Sequence, residues 1–193
     1  HSVGQYLAKL HLTTNNFPQS NKNTRGLGWM SSIYLNLKEF LPLKDQEIIE
    51  LEINYHKELD KVELPEGIIH GDLFRDNVLF LNDKVSGFID FYYACNGTFI
   101  YDIAIAINDW CIDEDGKINK IMFSEFIKGY QSERNLTDNE LKYLNSVLRL
   151  AALRFWLSRL EDSHNMKDGE ITSIKNPSHF KNILIDRQRM KNY

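Results

Sequence analysis

The chain has 193 residues, of which 42% are hydrophobic and 26% charged, and its formal net charge is -4. These proportions are typical of a globular protein, and the length allows one domain or one large lobe with its own core. The acidic balance gives no reason to expect nucleic-acid binding, and no apolar run reaches the roughly 18 residues of a membrane span. Two cysteines, Cys95 and Cys111, are too few for a disulfide framework and fit a cytoplasmic location.

The first third of the chain is predicted to be helical. Apolar residues recur at helical spacing over residues 2–12, and His11 follows that apolar stripe, which favours a packed or capping side chain over a ligand. A second, mainly apolar helix is predicted over residues 29–40. Asp45 is interpreted as the cap of a third helix.

A β-hairpin is predicted in the middle of the chain. Residues 78–81 form one apolar run, and the apolar residues within 88–91 form a second. Residues 82–84, Asn-Asp-Lys, have the composition of a turn between them.

Three oxygen-bearing side chains flank this hairpin. Asp72 and Asn77 fall on the loop that enters it, and Asp90 falls near its exit. His70-Gly71-Asp72 followed by Asn77 has the His-x-Asp-x-x-x-x-Asn spacing of a kinase catalytic loop, with Asp90 where kinases carry a second metal-binding Asp. Phosphoryl transfer requires such a set, because one carboxylate takes the acceptor's proton while an amide and a second carboxylate hold magnesium. The alternative is a hairpin whose Asp and Asn residues only form turns.

The remainder of the chain is predicted to be helical. Asp102 lies in the first turn of an apolar helix over residues 99–110, where it either caps that helix or braces the catalytic loop. Residues 137–140 form a capping box, and Asn176 caps the last helix. The other predicted elements are helices over residues 118–130, 141–160 and 180–189 and a polar loop over 163–173.

Three long strings, at residues 70–80, 101–111 and 150–160, resemble the bacterial homoserine kinases of the aminoglycoside-phosphotransferase-like family, and the likeness extends from Val3 to about Leu184. The resemblance implies an α+β, mainly helical fold, namely a protein-kinase-like C-terminal lobe with a small catalytic β-hairpin. It also implies a transferase that uses ATP to phosphorylate the side-chain hydroxyl of L-homoserine, a small-molecule substrate, in threonine biosynthesis.

The kinase pattern assigns a role to each residue around the hairpin. Asp72 accepts or orients the proton of the attacking hydroxyl. Asn77 and Asp90 hold Mg2+ on the phosphates of ATP. His70 has two open interpretations, since it either orients the loop or takes part in acid–base chemistry.

A homoserine site requires a cation for the substrate carboxylate and an acceptor for its ammonium group. Arg75, Arg154 and Arg159 are candidates for the first, and Asp109 and Asp162 for the second. Arg75 has two further interpretations, a phosphate contact and a surface ion pair. The sequence does not choose among these residues.

The kinase interpretation also requires an N-terminal lobe with a glycine-rich loop over the phosphates and a strand lysine. No Gly-x-Gly-x-x-Gly occurs in this chain. Residues 1–193 are therefore expected to be the C-terminal catalytic and substrate-binding lobe of a longer kinase, inactive without the missing nucleotide lobe. Two other functions stay open: a related kinase acting on choline or an aminoglycoside, and a non-catalytic kinase-like binding domain.

Overall fold

A computed structural model describes residues 1–14, 17, 21–59, 62–165 and 175–190. Helices predominate, with two small sheets between them, which confirms the mainly helical α+β class. The helices are α1 (Ser2–Thr13), α2 (Leu27–Leu37), α3 (Leu43–Leu59), α4 (Phe99–Trp110), α5 (Lys120–Gln131), α6 (Asp138–Asn165) and α7 (Pro177–Arg189). The strands are β1 (Glu66–Ile69), β2 (Val78–Leu81), β3 (Lys84–Phe88) and β4 (Cys95–Thr98). No helix within the described ranges is both long and apolar enough to cross a bilayer.

The predicted hairpin is present as the antiparallel pair β2–β3. Its turn consists of Asn82 and Asp83, whose φ angles of 50° and 59° are left-handed, as in the two-residue turns that match the twist of a hairpin. Lys84 already belongs to β3, so the sequence placed the second strand too late. The short turn sets this register, and the residues after Phe88 leave the strand for a 3-10 turn over Phe91–Tyr93.

The second sheet closes the segment that carries the hairpin. Strand β1 pairs with β4 in antiparallel register from Glu66 opposite Thr98 to Ile69 opposite Cys95. The segment of residues 70–94, which connects these two strands, therefore begins and ends at neighbouring positions. This arrangement brings the loop after β1 close to the residues that follow β3.

The core lies where α4 and α6 pack together. Helix α4 is buried from Phe99 to Asn108, and α6 buries Trp156 and its apolar neighbours, as expected for a helix that is apolar on most faces. A buried carboxylate, Glu52, joins three helices, because it accepts hydrogen bonds from Arg149 of α6 at 2.6 Å and from Gln188 of α7 at 2.7 Å.

Two of the predicted helix caps are confirmed. Thr137 and Glu140 form the reciprocal capping box, with Thr137 N donating to Glu140 Oε2 at 2.8 Å and Glu140 N donating to Thr137 Oγ1 at 3.2 Å. Asn176 accepts a hydrogen bond from Ser178 N at 2.9 Å and caps α7.

The predicted cap at Asp45 is wrong. Its backbone N–H donates to the carbonyl of Pro42, so α3 begins two residues earlier, at Leu43. The Asp45 carboxylate instead pairs with Lys181 of α7. In the predicted polar loop over residues 163–173, the first three residues belong to α6, and residues 166–173 lie outside the described residues.

Candidate active site

The backbone of the loop after β1 is held by the carboxylate of Asp102. Its two oxygens accept the N–H groups of His70 at 2.8 Å and of Gly71 at 2.9 Å. Burial acts to raise the pKa of this fully buried carboxyl, but the hydrogen bonds from His11 and from the His70 backbone outweigh it, and the pKa lies below its ordinary value. Of the two roles that the sequence left open, Asp102 therefore has the bracing one.

His11 completes this support from α1. Its Nε2 donates to Asp102 Oδ2 at 3.1 Å, its Nδ1 lies 2.8 Å from the Tyr130 hydroxyl, and its ring stacks on Phe99 at 4.5 Å. The sequence assigned His11 to packing and missed the hydrogen bond. No local signal identifies it, since Asp102 is 91 positions further along the chain.

Gly71 is required by the shape of the loop. Its φ angle is +75°, in the left-handed region, and a Cβ atom at this position would lie 2.7 Å from the Tyr93 carbonyl oxygen. A larger residue would meet both backbone strain and a clash. The glycine thus allows the loop to pass directly under the segment that follows Asp90.

His70 connects the same two segments. Its side chain is fully buried, its Nε2 donates to the Ile89 carbonyl at 2.9 Å, and its ring centroid lies 4.6 Å from that of Phe91. Its other ring nitrogen, Nδ1, is buried and has no hydrogen-bond partner in the part of the chain that the structure describes. This geometry suits a residue that orients the loop.

Asp72 is presented at the surface of the loop, with 17% of its side chain exposed. Its Oδ1 lies 3.1 Å from Nη1 of Arg154, whose side chain is 4% exposed. Burial raises the pKa of Asp72 above its ordinary value, and the charge and hydrogen bond of Arg154 oppose that rise. The result is a carboxylate that is more basic than an exposed aspartate and is held in a fixed orientation.

Asn77 lies against the same loop. Its side-chain Nδ2 donates to the Asp72 backbone carbonyl at 2.8 Å, and its backbone carbonyl accepts a hydrogen bond from Ile89 N at 3.0 Å. The bond to Ile89 brings Asn77 next to the residue that precedes Asp90. Asp90 itself is exposed and adopts a left-handed conformation with φ of 64°.

The oxygens of Asn77 and Asp90 are of the type that Mg2+ prefers. Among the described residues there is no cluster of three or more His, Cys, Asp or Glu side chains able to hold a metal. An ion at this position would take one carboxylate and one amide from the chain and its remaining ligands from water or phosphate, which is the usual composition of a Mg2+ site in a kinase.

Two of the other substrate candidates are joined to each other. Arg75 N donates to Asp109 Oδ2 at 2.7 Å, and Arg75 Nη2 donates to the Asp109 carbonyl at 2.7 Å. Burial raises the pKa of Asp109, and its contacts with Arg75 oppose the rise. These hydrogen bonds hold the loop after β1 against the end of α4. Arg75 therefore has a defined structural contact.

The candidates at the end of α6 have different surroundings. Arg159 donates from Nη1 to the Asn176 carbonyl at 3.3 Å and lies over the ring of Phe180 at 4.2 Å. Asp162 is exposed on the same helix. Of the three candidate arginines, Arg154 is the one brought to Asp72.

Arg25 lies near the site, although the sequence assigns it no role there. Its guanidinium lies 4.3 Å from the ring of Trp29 and 5.4 Å from the ring of Tyr93, and Nη1 is 3.4 Å from Glu161 Oε2. Arg154 approaches the same Tyr93 ring at 5.0 Å. Two cations therefore lie around one aromatic side chain beside the catalytic loop, a relation between distant segments that the sequence does not reveal.

Known proteins similar to this chain include two homoserine kinases. The one from Methylobacillus flagellatus is 40% identical over 183 residues, which is 95% of this chain and 57% of that protein. The one from Neisseria meningitidis serogroup B is 43% identical over 183 residues, which is 95% of this chain and 60% of that protein. The chain thus spans somewhat less than two thirds of the length of the curated relatives it matches.

Solved structures with the same fold include a choline/ethanolamine kinase family protein from Mesorhizobium loti, with a TM-score of 0.71 and 17% identity over 97% of this chain and 60% of that one. An amicoumacin kinase in complex with AMP-PNP, Ca2+ and Ami has a TM-score of 0.68 and 19% identity over 97% of this chain and 56% of that one. The model of the phosphotransferase enzyme family matches residues 1–136. Because that match covers more than half of the sequence, the chain belongs to the phosphotransferase enzyme family.

Proposed function

We propose that the chain is the catalytic part of an ATP-dependent kinase that phosphorylates the side-chain hydroxyl of L-homoserine, a step in threonine biosynthesis. Two observations together carry the proposal. Asp72, which lies on a loop braced by Asp102, contacts Arg154, and the chain is about 40% identical to homoserine kinases. The Asp72 carboxylate suits a base for a hydroxyl, and the Arg154 guanidinium suits an acceptor that carries a carboxylate.

In the proposed reaction Asp72 accepts or orients the proton of the acceptor hydroxyl. Its raised pKa supports this role, because a more basic carboxylate is a better proton acceptor. His70 acts as a positioning residue rather than as an acid or base, since its ring is fully buried and holds Ile89. Phosphoryl transfer depends mainly on positioning and charge, so a rigid loop contributes directly to the rate.

Asn77 and Asp90 are proposed to hold Mg2+ together with the phosphates of ATP. The ion would neutralise the charge of the phosphates when it is bound. Asn77 also fixes the Asp72 carbonyl through its amide nitrogen, so that one side chain serves both the base and the proposed metal site.

We further propose that residues 1–193 correspond to the C-terminal lobe of a longer enzyme whose nucleotide lobe is a separate segment. The matched relatives are longer, at 57% to 60% coverage of their own length. Strand β2 exposes Leu79, Phe80 and Leu81 at 47%, 47% and 67%, an apolar surface next to the proposed nucleotide site that a second lobe would cover. Free, buried Cys95 and Cys111 are consistent with a cytoplasmic enzyme.

A substrate panel on the full-length enzyme tests the proposal. A coupled assay of ADP release would compare L-homoserine with choline, kanamycin and L-threonine. We expect L-homoserine to be phosphorylated far better than the others. Comparable rates with choline or kanamycin would favour the sister kinases, whose acceptors are cations without a carboxylate. No turnover with any acceptor would favour a non-catalytic binding domain.

A further inference from the structure

A small cavity of about 10 Å³ lies beside the loop that follows β1, and Gly71 is among its lining residues. Its walls include Arg25, Gly71, Tyr93, Tyr101 and Arg154. This volume is on the scale of a single water molecule or of one oxygen atom of a ligand. Two arginines and two tyrosines contribute to these walls, so the surroundings favour an anion.

Two polar atoms of the cavity walls have no protein partner. Arg154 Nε and the Tyr101 hydroxyl are buried and have no hydrogen bond within the described residues. The two residues are 3% and 7% exposed. Burial raises the pKa of Tyr101 to about 12, so this hydroxyl keeps its proton and can donate. A buried donor without a partner destabilises the protein, and a ligand oxygen that accepts from it would remove that cost.

The contact between Arg154 and Asp72 leaves room for a second anion. Asp72 takes Nη1 of the planar guanidinium, whereas Nε belongs to a different part of the five-donor group. Arg25, which is paired with Glu161, adds a second positive charge at the cavity. A single arginine thus contacts the proposed base and also lines the cavity.

We propose that this cavity receives an oxygen of the acceptor's α-carboxylate, which binds Nε of Arg154 with the Tyr101 hydroxyl as a second donor and Arg25 as a second cation. The inference rests on the proposed function and deepens it, because it assigns the residues that select an amino-acid acceptor. An acceptor without a carboxylate leaves the two buried donors unpaired, and sites built around such donors reject the analogue that lacks the partner group.

The experiment compares L-homoserine with 3-amino-1-propanol, which has the same hydroxyl and amine but no carboxylate. The full-length enzyme would be assayed as wild type, Arg154→Met, Tyr101→Phe and Lys142→Met. The last variant removes an exposed charge from the same helix and is the control. For each, kcat/KM is measured with both acceptors, and calorimetric binding supplies the ratio of affinities if turnover is lost.

We expect Arg154→Met to reduce the preference for L-homoserine by about 10- to 100-fold, as for a lost hydrogen bond to a charged group. Tyr101→Phe should raise KM for L-homoserine by more than it changes KM for 3-amino-1-propanol, because only the first acceptor has a carboxylate that loses a donor. Lys142→Met should keep the wild-type preference.

Equal losses with both acceptors in Arg154→Met, together with an unchanged KM in Tyr101→Phe, would overturn the carboxylate assignment. They would leave Arg154 as a residue that only orients Asp72. A wild-type enzyme that does not phosphorylate L-homoserine would instead overturn the proposed function, and this inference with it.

Discussion

Nε2 of His11 lies 3.1 Å from Oδ2 of Asp102, and both side chains are completely buried. The same Oδ2 atom accepts the backbone N–H of His70 at 2.8 Å. Helix α1 therefore acts on the catalytic loop through one carboxylate, although it has no residue in the loop itself. Removing either partner leaves an unpaired polar group in the core, which costs more than the bond alone contributes.

We expect Asp102→Asn to lower kcat strongly and to lower stability, because the amide offers one acceptor oxygen where two N–H groups and His11 need partners. His11→Gln should have a smaller effect, and Tyr130→Phe the smallest, since the Tyr130 hydroxyl bonds His11 and Arg134 and does not contact Asp102 directly. Each lost bond to the carboxylate is worth about 1.5–3 kcal/mol. Hydrogen exchange of the peptide that contains His70 and Gly71 would detect the loosened loop. Wild-type protection in Asp102→Asn would contradict the bracing role.

Replacing Asp72 by Asn in the full-length enzyme should reduce kcat by about 10²- to 10⁴-fold with little change in ATP affinity, because general-base assistance contributes that range. Asp76→Asn is a matched control. Asp76 lies in the same loop, but its side chain is 75% exposed and pairs with Lys175. Steady-state kinetics would show a loss only in the first variant. A loss below about threefold in Asp72→Asn would remove this residue from the chemical step.

Asp90→Ala should abolish Mg2+-dependent binding of ATP, because it removes the carboxylate of the proposed metal site. Asn77→Ala should weaken the same binding less, since a neutral amide contributes less than a charge. It should also lower kcat, because Asn77 Nδ2 holds the Asp72 carbonyl at 2.8 Å. Calorimetry with ATP in the presence of Mg2+ and of a chelator separates these effects. Unchanged MgATP affinity in Asp90→Ala would refute the metal assignment.

The buried Glu52 predicts a pH-dependent part of stability. Burial acts to raise its pKa, but the neighbouring His56 and the hydrogen bonds from Arg149 and Gln188 lower it from the ordinary 4.5 to about 2. The ionised Glu52 carboxylate therefore contributes its full stabilisation above the pKa that it has in the unfolded chain. That contribution is lost as the pH falls toward the lower pKa of the folded state. Between pH 7 and about pH 3.5, the wild type should lose roughly 1.5 kcal/mol more than Glu52→Gln.

Urea denaturation at the two pH values would measure that difference. Glu50→Gln is a suitable control, because Glu50 lies on the same helix but pairs with Lys38 at the surface, where ion pairs contribute little. Equal pH dependence in wild type and Glu52→Gln would show that the buried pairing does not determine acid stability.

Residues 1–193 expressed alone should fold cooperatively but should not turn over ATP with homoserine. Folding is expected because α4 and α6 bury a continuous core. Inactivity is expected because the sequence has no Gly-x-Gly-x-x-Gly to form a loop over the phosphates. Calorimetric unfolding and an ADP-release assay would test both points. Turnover near that of ordinary small-molecule kinases would show that the proposed nucleotide lobe is dispensable.

Local patterns were sufficient for much of the fold. The capping box at Thr137 and Glu140 and the cap at Asn176 each depend on residues within three positions of one another, and the structure contains both. Helices α1 and α4 also agree with the predicted spans, because their apolar periodicity is long and regular.

Relations between distant segments could not be predicted in the same way. Asp45 has the composition of a cap, but its ion pair with Lys181 is formed 136 positions away. Arg25 belongs to a polar loop, and its place beside Tyr93 depends on contacts between that loop and β4, where Asn96 N donates to the Asn21 carbonyl. Arg75, Arg154 and Arg159 were equal candidates by residue type, and only the fold brings Arg154 to Asp72.

Asp102 holds the loop after β1 by accepting hydrogen bonds from main-chain N–H groups, which every residue except proline possesses. The support that Asp102 gives is therefore independent of which side chains stand at positions 70 and 72, although position 71 must remain glycine and the His70 side chain adds its own bond to Ile89. Arg154 touches Asp72, but Arg25 has no contact with it in the described structure, so acceptor preference can be altered at Arg25 while the main-chain support of the loop stays in place. One scaffold of this kind can serve many hydroxyl-bearing acceptors, because the bonds that hold its loop do not use the side chains proposed to select the molecule.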